Sequence, residues 1–155
     1  MVSGKLSGPV WSLFRMVIGF LFACHGAATV LGLFGGHRGS GEAIPIGTWP
    51  NWWAGLIQLV CGSLVLVGLA TRPAALLCSG SMAYAYFVVH QPTDLLPLNN
   101  GGVTPALYSW AFLIIAVLGA GQWSIDAWLR SHRVAAVPAE PTGAVASKER
   151  QPENA

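Results

Sequence analysis

Residues 11–33, WSLFRMVIGFLFACHGAATVLGL, carry a single formal charge, Arg15, and a single histidine, His25. A helix across a ~30 Å hydrocarbon core takes about 20 residues at ~1.5 Å rise, so this stretch is long enough to span one. Three more apolar runs follow after short polar breaks, giving helices expected near 11–33, 52–70, 73–91 and 105–128. Charged residues make up 9% of the chain and hydrophobic ones 54%, against a usual charged share of ~25%. A soluble domain of this size could not hide so much apolar surface, which makes lipid its solvent. Inside lipid the backbone must pair within helices or within a closed barrel, and continuous apolar runs without alternation exclude the barrel. The expected fold is all-α: a four-helix transmembrane bundle filling one domain, residues 1–130. Residues 131–155, rich in Ala, Pro, Glu and Lys without an apolar period, read as a disordered cytoplasmic tail.

The distribution of cations sets the expected orientation. With four crossings, Lys5, Arg15, Arg72, Arg130, Arg133, Lys148 and Arg150 share one side and only Arg38 lies on the other. Positive charge stays cytoplasmic, so both termini are expected inside. Trp11, Trp49, Trp52, Trp53, Trp123 and Trp128 fall near helix ends, where indoles favour the interface. A formal charge of +2 is too small to mark a nucleic-acid surface. Leu21-Phe22-Ala23-Cys24 loosely resembles a lipoprotein signal, but Arg15 shortens its apolar core and the run continues beyond Cys24.

Small residues mark the helix faces that pack. Ser12, Gly19 and Gly26 repeat at seven in the first helix, and Gly55 and Gly62 bracket Gln58 in the second. Ala74, Cys78, Ser81 and Ala85 form a stripe in the third. Such stripes let membrane helices approach closely.

His25 lies about eight residues, or ~12 Å, before the outer end of the first helix, and Gln58 lies at a similar depth in the second. An ionisable group at membrane depth needs a partner, and a neutral imidazole paired with the Gln58 amide, or with a helix carbonyl, would meet that need. Two readings stand: a polar pocket open to a quinone headgroup or a proton, or interhelical glue. His90, at the outer end of the third helix, either lines the same mouth with Asn99 and Asn100 or is an interfacial polar residue. Arg15 and Asp126 fall near the inner boundary and suggest an ion pair clamping the first helix to the last; alternatively Arg15 snorkels to headgroups while Asp126 caps the helix exit or meets Arg130. Cys24 and Cys61 are expected in the outer half of adjacent helices, with Cys78 too deep to join them. No CxxC or metal-ligand spacing occurs, so no metal or catalytic residue is assigned.

The order of these features resembles the DoxX family of small bacterial integral membrane proteins. The marks are Arg15 with Gly19, His25-Gly26, then Gly62, Leu66, Gly68, Leu69, Thr71 and Arg72. Ala83, His90, Asn100-Gly101-Gly102 and Tyr108 follow, and Gly119-Ala120-Gly121-Gln122-Trp123-Ser124-Ile125-Asp126-Ala127 is the most specific piece. The resemblance implies a multi-pass four-helix bundle in the bacterial inner membrane. It also implies kinship with proteins linked to thiosulfate:quinone oxidoreduction and with membrane complexes that meet thiol and oxidative stress beside soluble redox enzymes. The family often has glutamates where this chain has Gln58 and Val103, which points away from an autonomous enzyme.

The first expectation is therefore a non-autonomous subunit of a membrane redox or oxidative-stress complex near the quinone pool, with membrane or soluble redox proteins, or a second copy of itself, as partners. The alternative is a structural or assembly factor that docks such a protein and has no chemistry of its own. A transporter comes last, since four helices without repeats or broken segments make a poor carrier.

Overall fold

In the computed structural model, which describes residues 4–135, every regular element is helical and no strand occurs among the described residues. α1 (Gly4–Leu31) is 28 residues long and extends about 42 Å. A 3₁₀ turn at His37–Gly39 interrupts the next loop, and α2 spans Asn51–Val67. α3 (Thr71–Tyr84) runs directly into a π-helical segment, Ala85–His90. A single turn, α4 (Pro97–Asn100), precedes α5 (Val103–Leu118), and α6 (Ile125–Ala135) closes the described chain.

The four expected crossings are not what forms. Among the described helices only α1, over Leu6–Leu31, is long and apolar enough to cross a membrane by length and composition. α2 and α5 are apolar but have 17 and 16 residues, about 25 Å each, and α3 has 14. The apolar runs continue through positions where the backbone stops. Gly68 and Ala70 adopt left-handed conformations with φ 74° and 47°, ending α2 and turning the chain into α3. Gly119, φ 84°, ends α5, so the stretch expected as one helix near 105–128 is split into α5 and α6. The expected N-in/C-in four-span arrangement falls with those crossings. The expected tail boundary also moves, because α6 continues to Ala135; the remainder of the tail lies outside the described residues.

α1 packs on α2, α2 on α3, and α3 on α5. The α1–α2 seam is built on the glycine repeats. A side-chain carbon on Gly19 would lie 2.6 Å from the Leu66 amide nitrogen, and one on Gly62 would lie 2.9 Å from that of Ala23. One on Gly26 would overlap the Leu59 amide, and one on Gly55 would lie 2.7 Å from the Thr29 methyl. These helices thus meet backbone to backbone, which maximises dispersion contacts where no water is present to drive association. Ser12, the third member of the α1 stripe, is used differently: its hydroxyl donates to Gly8 O and accepts the Trp123 amide, and so meets the chain after α5.

The core is small: Phe22, Cys61, Val65, Ala74, Ala75, Cys78, Met82, Phe112 and Ile115. Phe22 packs at a tilt against Phe112 and Tyr108, joining α1 to α5. Cys78 shares this core with Cys61, against the expectation that it lies too deep to join it. The tight α2–α3 hairpin explains it, since Cys61 and Cys78 stand at similar distances on either side of the turn. The outside is apolar as well: Leu13, Val17, Phe20, Leu76, Leu77, Leu107, Trp110, Ile114 and Val117 are all exposed. Such a continuous apolar exterior matches hydrocarbon rather than water.

Gly26→Val is expected to destabilise the protein by about 3 kcal/mol or more, read from the thermal midpoint in detergent. Gly80 lies on an open face of α3, where an added carbon meets nothing within 4 Å. Gly80→Ala is therefore expected to stay within about 1 kcal/mol of the parent. Equal midpoints for the two variants would show that the seam is not a rigid backbone contact.

Candidate functional site

A cleft of about 690 Å³ opens at the loop end of the bundle, between α1, α2, the π-helical segment and the start of α5. Three of the four residues expected to form a polar site, His25, Gln58 and His90, line it. His25 is exposed on α1, and Gln58 is half-buried on α2 between the two seam glycines. The two side chains face the same space without the expected hydrogen bond to each other, and neither hydrogen-bonds to any described residue. Phe22, Met82 and Pro105 supply apolar wall.

Asn100 acts from behind the wall. Its backbone carbonyl accepts a 2.9 Å hydrogen bond from His90 Nδ1, and because a carbonyl can only accept, Nδ1 carries the proton. A neutral His90 therefore presents Nε2 as an acceptor. The Asn100 side chain stitches the loop together, donating to Asp94 O and accepting the Gly102 amide.

Two more polar groups reach the cleft. His37 comes from the loop after α1, which folds back because Gly36 and Gly41 take left-handed conformations and Ile44 N–H donates to Thr29 O. Thr29 Oγ1 donates to His25 O and lies 3.3 Å from His37 Nδ1, so the imidazole is the donor in that second contact. Burial, reinforced by the neighbouring Arg38 charge, lowers the His37 pKa and so favours the neutral ring. Tyr108, on α5 one helical turn before Phe112, is the other. Sequence reading did not place these two in the site. The family-like marks already contained Tyr108, whereas His37 depends on a loop path set by positive-φ glycines. Among the described residues no three His, Cys, Asp or Glu side chains converge as metal ligands.

The opposite end is organised by Arg15, which is fully buried. Nε donates to Ala120 O at 2.7 Å, Nη1 to Val65 O and to Leu66 O, and Nη2 to Trp123 O at 2.5 Å. The guanidinium thus serves carbonyls at the end of α2 and in the turn after α5. The expected Arg15–Asp126 ion pair does not form as a direct contact. Asp126 instead accepts from the Ala70 and Thr71 amides at 2.9 and 3.0 Å, capping the start of α3, while its own amide donates to Gly68 O. Five donors in a planar fork suit four converging carbonyls, and a carboxylate suits free amides, so each group takes backbone in preference to the other. For Asp126, burial acts to raise the pKa, but the hydrogen bonds from Thr71 and Ala70 and the Arg130 charge outweigh it and hold the carboxyl below its ordinary value.

An apolar-surfaced helical bundle with one spanning helix and a polar cleft at one end defines a small integral membrane protein. The DoxX family model matches residues 10–91. A Haemophilus influenzae protein described as uncharacterized is 35% identical over 119 residues, covering 72% of this chain and 84% of its own. No solved structure matches the chain. The chain belongs to the DoxX family, which supports a place in the bacterial inner membrane.

Arg15→Met is expected to lower unfolding stability by about 3–5 kcal/mol in denaturant titration, because the carbonyls lose their donors inside the bundle. Arg15→Lys is expected to recover less than half of that, since an ammonium cannot span the same acceptors. The Asp126 carboxyl has a lowered folded pKa. Its stabilisation is complete above the unfolded value of ~3.9 and is lost as pH falls through the folded pKa. Thermal midpoints measured across that acid range should fall less steeply for Asp126→Asn than for the parent.

Proposed function

We propose that this DoxX protein is a non-autonomous subunit of a membrane redox or oxidative-stress complex, and that its loop-end cleft receives a quinone headgroup. The observation that supports the reading is the convergence of His25, Gln58, His90, His37 and Tyr108 on one apolar-walled cleft. Its volume, about 690 Å³, lies within the ~300–1,000 Å³ of small-molecule sites. A quinone ring offers two carbonyl acceptors in its oxidised form and two hydroxyl donors once reduced. The Gln58 amide can donate to the first and accept from the second, and His90 Nε2 accepts from a hydroxyl. His25 has no hydrogen-bond partner among the described residues, so a ligand carbonyl or hydroxyl would satisfy an otherwise costly polar group. The quinone, when bound, supplies the two-electron, two-proton chemistry; this chain contributes binding, orientation and proton-accepting groups. A redox protein partner would exchange electrons with it.

The apolar exteriors of α2 and α5 support a multi-pass reading in which these helices lie in lipid beside α1. The assembly-factor alternative draws less support, since the glycine stripes that would have offered docking seams are closed by α1 and α2 against each other.

The test is quinone retention by the full-length protein purified in mild detergent, quantified by mass spectrometry. The parent is expected to carry quinone, and His25→Ala and Gln58→Leu to lose about tenfold in affinity with helical content unchanged. A parent without quinone, or variants that retain it equally, would sink the proposal.

A further inference from the structure

A second cleft, about 540 Å³, lies at the other end of the bundle, between the start of α3, the end of α5 and α6. We infer that it holds the phosphate of an anionic phospholipid and that α6 lies in the membrane interface beside it. Arg72 and Arg130 both line this cleft and are exposed, and neither makes a hydrogen bond or a salt bridge to any described residue. Gly119 provides the space for Arg72: a side-chain carbon there would come 3.3 Å from Arg72 Nε. Asp126 also lines the cleft, and its charge acts on Arg130, but its two carboxylate oxygens are engaged by the Ala70 and Thr71 amides. The cleft therefore presents two guanidinium groups that make no hydrogen bond to any described residue, Arg72 and, beside the Asp126 charge, Arg130, and their planar forks match phosphate oxygens.

α6 indicates that this phosphate belongs to a lipid. Ile125, Trp128, Leu129 and His132 recur at helical spacing on one face. Trp128 is 58% exposed, and the ring of His132 lies 4.3 Å from its own. Trp123, just before the helix, is 56% exposed. The opposite edge is tied to the bundle by Asp126, while Arg130 lies beside the cleft. A helix with exposed indole on one side and a cation on the other lies along the membrane surface. A free phosphate would engage only the arginines; a lipid engages both features, headgroup at the arginines and acyl chain along Ile125 and Trp128.

The experiment incorporates the full-length protein into nanodiscs of mixed phosphatidylglycerol and phosphatidylcholine and measures retained lipid by native mass spectrometry. Selective retention of phosphatidylglycerol is expected, with about fivefold loss for each of Arg72→Gln and Arg130→Gln. The double Arg→Lys variant, which keeps the charge but not the fork, should retain less than the parent and more than the double Gln variant, and an unchanged thermal midpoint establishes that the variants fold. Trp128→Ser should weaken retention although both arginines remain. Undiminished phosphatidylglycerol on the double Gln variant would overturn the site. Displacement of the lipid by millimolar inorganic phosphate would identify a soluble anion as the ligand instead, and an unaffected Trp128→Ser would remove α6 from it.

Discussion

A buried guanidinium, that of Arg15, is the interaction around which one end of this protein is assembled. A positive charge inside an apolar bundle, with the Asp126 carboxylate near but not in contact, is tolerable only if many dipoles point at it, and four backbone carbonyls do so. Those carbonyls come from α2 and from the turn after α5, so a side chain on α1 fixes where both helices end. Asp126 performs the reciprocal task for the amides that begin α3. Cation on carbonyls and anion on amides is the arrangement that helix dipoles favour at their C- and N-termini. The turns at this end are consequently tight, although the chain reverses direction twice within it.

The guanidinium can reach Val65 and Leu66 only because α1 and α2 touch along their glycines. A single added carbon at Gly19 or Gly62 would push the helices apart, and the arginine would then serve fewer carbonyls. The seam continues towards the other end, where Gly26 and Gly55 meet beside His25 and Gln58. Close approach of the backbones there places both polar side chains on the rim of one cleft. The two ends of the molecule are thus coupled through the same pair of helices, one end sealed by its hydrogen bonds and the other left open with the His25 and Gln58 side chains unsatisfied.

Much of this was legible in the residues. The seven-residue glycine repeats announced the seam because only glycine permits such contact, and His25 and Gln58 announced a polar site by their cost in an apolar run. Helix ends were less legible: Ala70 turns left-handed with no residue type to signal it, and the break at Gly119–Ser124 is marked by glycines, which membrane helices also tolerate. Counting the runs as whole helices therefore overstated the number of spans. The partners of Arg15 could not be read either, because sequence names side chains and its acceptors are all backbone. Cys78 joined Cys61 because of the length of a turn. His37 entered the cleft through a loop whose path is set by glycines at positive φ.

The π-helical segment between Ala85 and His90 has a consequence of its own. A π turn accommodates one residue more than the α turn it replaces, as an insertion into an existing helix would. Upstream of it, α3 presents Ala74, Cys78 and Met82 to the core; downstream, His90 meets the Asn100 carbonyl. The extra residue sets the phase between these two faces. Shortening the segment by one residue would restore a regular α-helix and rotate His90 by about 100° relative to the core face. The helix would still be able to pack on α5, but the imidazole would leave the cleft, so the width of a single backbone turn determines whether His90 faces the cleft at all.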